Sequence, residues 1–250
     1  MKYAAALIVL QLAGGAAPAQ EMATVGALAE RAVPTRIIEI SGLRDPDWKP
    51  YRAMLTGMDA FAARQQLAPA AELRFILRPA GGQASIEGAT LRIVGGATTI
   101  PVPIGADGTF TLPRDQNAAD ENADMVSNGK RKALRWRPYI RSPGVPAGMR
   151  RLGDLRLECE IFMAVEKADA SYLGRKMMKL LYNSCASSKL RMSFLEPRRL
   201  AAATVAAGER RLPLPLGRAG LSYEPPLADS GWGDDALVEL VYANDAPAAP

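Results

Sequence analysis

Cys159 and Cys185 are the chain's only cysteines, and a leader precedes them that predicts export to an oxidising compartment. Lys2 is followed by the apolar run Ala4 to Leu10, and small residues lead to Ala17-Pro18-Ala19 just before Gln20. A charge, a short apolar stretch and an A-x-A site form the pattern of a cleaved export signal. The run falls well short of the ~20 apolar residues that span a bilayer. Residues 1–19 are therefore expected to be removed, and the mature chain is expected in the periplasm or outside the cell. No cysteine stands where a lipoprotein signal would place one.

In that compartment an even cysteine count predicts a bridge. Leu155, Leu157, Cys159, Ile161, Met163 and Val165 alternate with Arg156, Glu158 and Glu160, which predicts a strand with Cys159 pointing inward. Leu173, Met177, Leu180 and Leu181 form a helical stripe that Cys185 extends by one turn. Both thiols are then expected to face one apolar layer. Closing the intervening loop should add roughly 3 kcal/mol.

The chain has no histidine, which excludes Ser-His-Asp and Cys-His catalysis and the usual histidine-based metal sites. No cofactor and no metal site is expected. Loss of Lys2 with the leader leaves 30 cations against 26 acids, a net charge of +4. That is compatible with an anionic envelope polymer or a protein partner. Nucleic acid is an unexpected partner for an exported protein, and no later segment is long and apolar enough to cross a membrane.

Alternating segments dominate the remainder. Strands are expected at 36–40, 73–78, 90–93, 100–104, 134–140, 189–195, 199–206, 210–214 and 236–242, with a helix from Asp45 to Gln66. Pro101 and Pro103 on one face mark an edge strand. Asp107-Gly108 predicts a hairpin turn and Gly208-Glu209 another. Residues 115–129 read as a polar loop or short helix. The expected fold is mainly β with a few helices. It would comprise a β-sandwich-like domain over 20–168 with an N-terminal helix, a helix plus small β-rich part over 169–245, and a disordered tail at 246–250.

Ile86-Glu87-Gly88-Ala89-Thr90-Leu91-Arg92-Ile93 and Ala106-Asp107-Gly108-Thr109-Phe110-Thr111-Leu112-Pro113 resemble the carboxypeptidase-regulatory-like, or transthyretin-like, β-sandwich modules. Those modules often read GAxVxL and then DGxFxLP. The resemblance implies a binding, stability or accessory module and transfers no catalytic residue. The long basic stretch that follows departs from the pattern. The run from Arg150 to Cys159 is also similar to bacterial exported proteins without a known activity.

That basic stretch is the main candidate site. From Met125 to Gly153 there are eight cations and no acid. Arg135, Arg137, Tyr139 and Arg141 would share one strand face, able to hold carboxylates or phosphates through forked hydrogen bonds. The competing reading pairs these arginines with Glu158 and Glu160 across neighbouring strands. Trp232, in a Ser/Gly/Asp loop, is a candidate sugar-stacking platform or else a loop-anchoring plug. Trp136 shares parity with core residues.

The acids from Asp115 to Asp124 do not follow a calcium-loop spacing. Ser127-Asn128-Gly129-Lys130 matches S-x-x-K, but the accompanying K-T-G and S-D-N elements are absent. The leading expectation is a non-catalytic exported envelope protein that binds or scaffolds. The alternatives are a carboxylate-dependent hydrolase of envelope polysaccharide and a structural subunit of a larger assembly.

Overall fold

The computed structural model describes residues 46–80, 86–181 and 185–244. The leader, the expected strand at 36–40 and the expected tail at 246–250 lie outside these residues. The described segments fall within one compact unit. In chain order they form β1 (Pro46–Pro50), α1 (Tyr51–Arg64), β2 (Arg74–Pro79), β3 (Leu91–Val94), β4 (Thr99–Val102), β5 (Thr109–Phe110) and α2 (Gln116–Asp120). Next come β6 (Asp124–Lys130), β7 (Leu134–Tyr139), β8 (Met149–Arg151), α3 (Leu152–Asp169) and α4 (Tyr172–Leu181). The chain continues through β9 (Phe194–Leu195), β10 (Leu200–Ala207), β11 (Arg210–Pro213), β12 (Ser222–Tyr223) and β13 (Leu237–Tyr242). Strands hold 32% of the described residues against 27% for helices, so the fold is mainly β with few helices.

Four antiparallel sheets result, in the orders β1-β6-β3-β4, β5-β2-β7, β11-β10-β13-β8 and β12-β9. The first two share a core. Leu91, Ile93, Val102 and Met125 meet Phe75, Leu77 and Phe110 there, joined by Tyr51 and Met54 of α1. Phe75 and Phe110 stack at 5.7 Å between centroids. The third and fourth sheets build a second core from Val205, Val238, Leu240, Phe194 and Tyr223, plugged by Trp232.

The 155–165 segment is a helix, not the expected strand. Leu157, Ile161 and Val165 face the first core, whereas Leu155, Cys159 and Met163 face the second. Each set repeats every four residues, as one side of a helix does. The sets are offset by two residues, about 200° of rotation, so they lie on opposite sides. Two buried stripes so placed read as period two in sequence. The α3 start is well satisfied: Leu152 and Gly153 N–H groups donate to the carbonyls of Ala236 (2.8 Å) and Asp234 (2.9 Å). Gly57 lets α1 come close to α3, because a β-carbon there would lie 2.5 Å from Val165 Cγ2.

The cystine forms between Cys159 and Cys185 with Cα atoms 6.0 Å apart, and both residues belong to the second core. The expected burial of the α4 stripe does not hold for Leu173 and Met177, which are 69% and 48% exposed. β1 occupies the segment expected to open the first helix, since Pro46 and Pro50 favour extended backbone and Trp48 and Lys49 pair with Val126 and Met125. β6 lies where a polar loop or short helix was expected, after the short α2. Only Phe194–Leu195 of the 189–195 segment is strand.

β4 is indeed an edge strand. The Asp107-Gly108 turn forms with Gly108 at φ +83°, yet it makes no hairpin with β4. Phe110 and Thr109 pair with Phe75 and Ile76 instead.

Candidate arginine face and groove

Strand alternation and the β2–β7 register decide where the basic residues go. Arg74 pairs with Tyr139, Ile76 with Arg137, and Arg78 with Arg135. One sheet face therefore carries Arg74, Arg78, Arg135, Arg137 and Tyr139 around the buried Ile76, while Phe75, Leu77, Leu134 and Trp136 take the other. Like charges set directly opposite are unfavourable, and Arg78 and Arg135 are so placed.

The expected carboxylates form no ion pair with them, although the Glu158 charge acts on Arg141 in a shared cleft. Glu158 lies on α3 and takes Arg150, whose Nη2 donates to its Oε1 at 2.6 Å. The Ile140 N–H donates to that same oxygen at 2.7 Å. Burial pushes the Glu158 carboxyl up, opposed by Arg150 and the Ile140 N–H. The Arg150 guanidinium is held firmly charged, because Glu158 and its neighbours outweigh its own desolvation. Among the described residues, Arg78, Arg135, Arg137 and Arg141 make no ion pair.

Each of the four expected residues is distinct. Arg135 is exposed. Arg137 is half-buried and stacks over Phe162 at 4.3 Å, and burial lowers its pKa, with Glu166 opposing and Arg135 adding to the effect. Arg141 lies over the Tyr139 ring at 4.8 Å. Arg150 approaches that ring at 6.0 Å. Arg137, Tyr139, Arg141 and Arg150 line a cleft of about 40 Å³ beneath Met192–Glu196, room for a few waters. Arg150 Nε has no hydrogen-bond partner.

Arg135 and Arg137 also border a larger groove of about 290 Å³. It lies between β1, an edge of the first sheet, and β7, an edge of the second. Leu77, Leu91 and Met125 supply a buried apolar floor. Trp48 and Trp136 also line the groove, and Lys49 and Lys132 join the two arginines as its cations. Lys49 is already neutralised by Asp169 at 2.5 Å and Glu166 at 3.0 Å. Burial pulls its pKa down, but these two acids outweigh burial and leave it above the usual lysine range.

Trp232 does not serve as an exposed platform. It is 1% exposed, and Arg210 covers its ring at 3.9 Å. Trp48, which the sequence did not single out from the other two, is 46% exposed and lines the groove. The Ser127 and Lys130 of the S-x-x-K match lie on strand β6, three positions apart and so on opposite faces.

The acids upstream have structural work. Asp115 caps α2 by accepting the Ala118 N–H at 2.8 Å, and Glu121 accepts the N–H groups of Ala97 and Thr98. Among the described residues no cluster of three His, Cys, Asp or Glu side chains could hold a metal ion. No helix among them is long and apolar enough to cross a membrane.

Compared with family models, curated proteins and solved structures, the chain matches none.

Proposed function

We propose that this is an exported, non-catalytic envelope protein that binds an anionic component of the cell envelope through the arginine face of β2 and β7. One observation carries the reading: Arg78 and Arg135 oppose each other across the strand pair, and among the described residues neither makes an ion pair. An arriving phosphate or carboxylate would relieve that repulsion and gain charge-assisted hydrogen bonds. The leader pattern and the cystine support residence in the periplasm or outside the cell. The buried Phe110 and Leu112 in the shared core support kinship with carboxypeptidase-regulatory-like binding modules.

Retention on immobilised dextran sulfate tests this function. The wild-type chain is expected to bind at low salt. Arg78→Glu with Arg135→Glu is expected to elute without retention while its far-UV spectrum stays unchanged. Equal retention of both proteins contradicts the reading.

A further inference from the structure

We infer that the groove between β1 and β7 is a binding site for a single-chain amphiphilic anion: an acyl chain ending in a carboxylate or phosphate. The inference rests on the reading that β7 meets an anion, and it names the chemical class. Two features of the groove set that class. Its floor is apolar, formed by Leu77, Leu91 and Met125, and the 46% exposed Trp48 that lines the groove is apolar surface that a purely ionic ligand would leave in water. Its cations are in excess: Arg135, Arg137 and Lys132 make no ion pair among the described residues, and Asp47 is the one carboxylate lining the groove.

The size agrees. About 290 Å³ falls just below the roughly 300–1,000 Å³ typical of small-molecule sites. That accommodates one flexible chain better than a diacyl lipid or a folded polymer. The tryptophans fit the same occupant. Trp48 is 46% exposed, a large apolar ring left partly in water at the entrance. Trp136 packs between Phe75 and Phe162 at 6.0 Å from each, a fixed wall for the chain to lie against. The desolvated Arg137 stacked on Phe162 stands beside that wall, where a headgroup would restore the contacts it lost to burial.

The test uses a terminally brominated dodecanoate, held below its micelle concentration, as a quencher of tryptophan fluorescence. Saturable quenching is expected from Trp48 and Trp136, with Trp232 in the second core left emitting. Arg135→Gln with Lys132→Gln should weaken binding about tenfold or more, the loss of one or two charge-assisted hydrogen bonds. Trp48→Ala should weaken dodecanoate binding and leave dextran sulfate retention intact. All three residues are exposed, so these variants keep the fold. Acetate in large excess should not compete.

Absence of saturable quenching, or quenching indifferent to the Arg135/Lys132 variant, or competition by acetate as effective as by dodecanoate, overturns the inference. Retention on dextran sulfate without quenching defeats the amphiphile alone and leaves the anion reading standing. Quenching without retention defeats the polymeric partner and leaves the amphiphile.

Discussion

Arg150 and Glu158 form a buried ion pair, 2.6 Å from Nη2 to Oε1, with side chains 5% and 6% exposed. It ties β8 to the second turn of α3 and, through the Ile140 N–H, to the chain just past β7. Removing one partner leaves an uncompensated buried charge. Glu158→Ala should therefore cost about 3–5 kcal/mol in urea unfolding. Arg150→Met with Glu158→Leu should cost less than Glu158→Ala alone, since no charge is then stranded. The reverse ranking would mean that the pair's own attraction dominates.

Acid titration should find Asp107. Its carboxylate accepts the Thr109 hydroxyl at 2.7 Å and the Thr109 N–H at 2.9 Å, and these bonds hold its pKa below the usual aspartate value. A depressed folded pKa means that the stabilisation is fully present above the unfolded value, about 3.9. It is lost as pH falls through the folded value. Asp107→Asn should thus flatten the stability slope below about pH 4 and leave the slope above it unchanged. Urea midpoints measured from neutral pH down to the acid limb check this.

The cystine closes a loop with a sequence separation of 26. In the chain-entropy account that is about 3.5 kcal/mol. Cys159→Ala with Cys185→Ala should lose roughly that amount, measured against the oxidised wild type. Reductant should lower the wild-type midpoint and leave the variant's where it is.

Both faces of α3 should be sensitive and the outward stripe of α4 should not. Ile161→Ala, in the first core, and Leu155→Ala, in the second, should each cost about 2–5 kcal/mol. Leu173→Ser and Met177→Ser should fall within about 0.5 kcal/mol of the wild type. A tolerant Ile161 would mean that α3 serves one core only.

That helix also shows where sequence reading succeeds and fails. β3, the proline-marked edge β4, the Gly208-Glu209 turn and β13 were legible because each has a single buried face, or a turn residue with one conformational job, and β2 because its flanking arginines keep the period of two although Phe75, Ile76 and Leu77 are all buried. α3 was not, because two cores flank it. Leu155, Cys159 and Met163 interleave with Leu157, Ile161 and Val165 and imitate a strand. The misreading also misassigned Glu158: on a strand it would sit across from Arg135 or Arg137, but on the helix it belongs to Arg150. The arginine face itself was legible, since Arg135, Arg137 and Tyr139 keep strand parity whatever lies opposite. Its companion Arg78 was not, because register between distant strands leaves no mark in spacing. The groove was hidden for the same reason. β1 has proline at both ends and read as a helix start, so nothing placed Trp48 beside Trp136.

The central claim is that the unpaired arginines of β2 and β7 receive an anion. Amide chemical-shift mapping during titration with a short dextran sulfate fragment tests it most directly. The account predicts perturbations concentrated on Arg78, Arg135, Arg137 and their strand neighbours, abolished by Arg78→Glu with Arg135→Glu. Perturbations centred instead on Arg175 and Lys176 of α4, or spread evenly over the cationic surface, would contradict it.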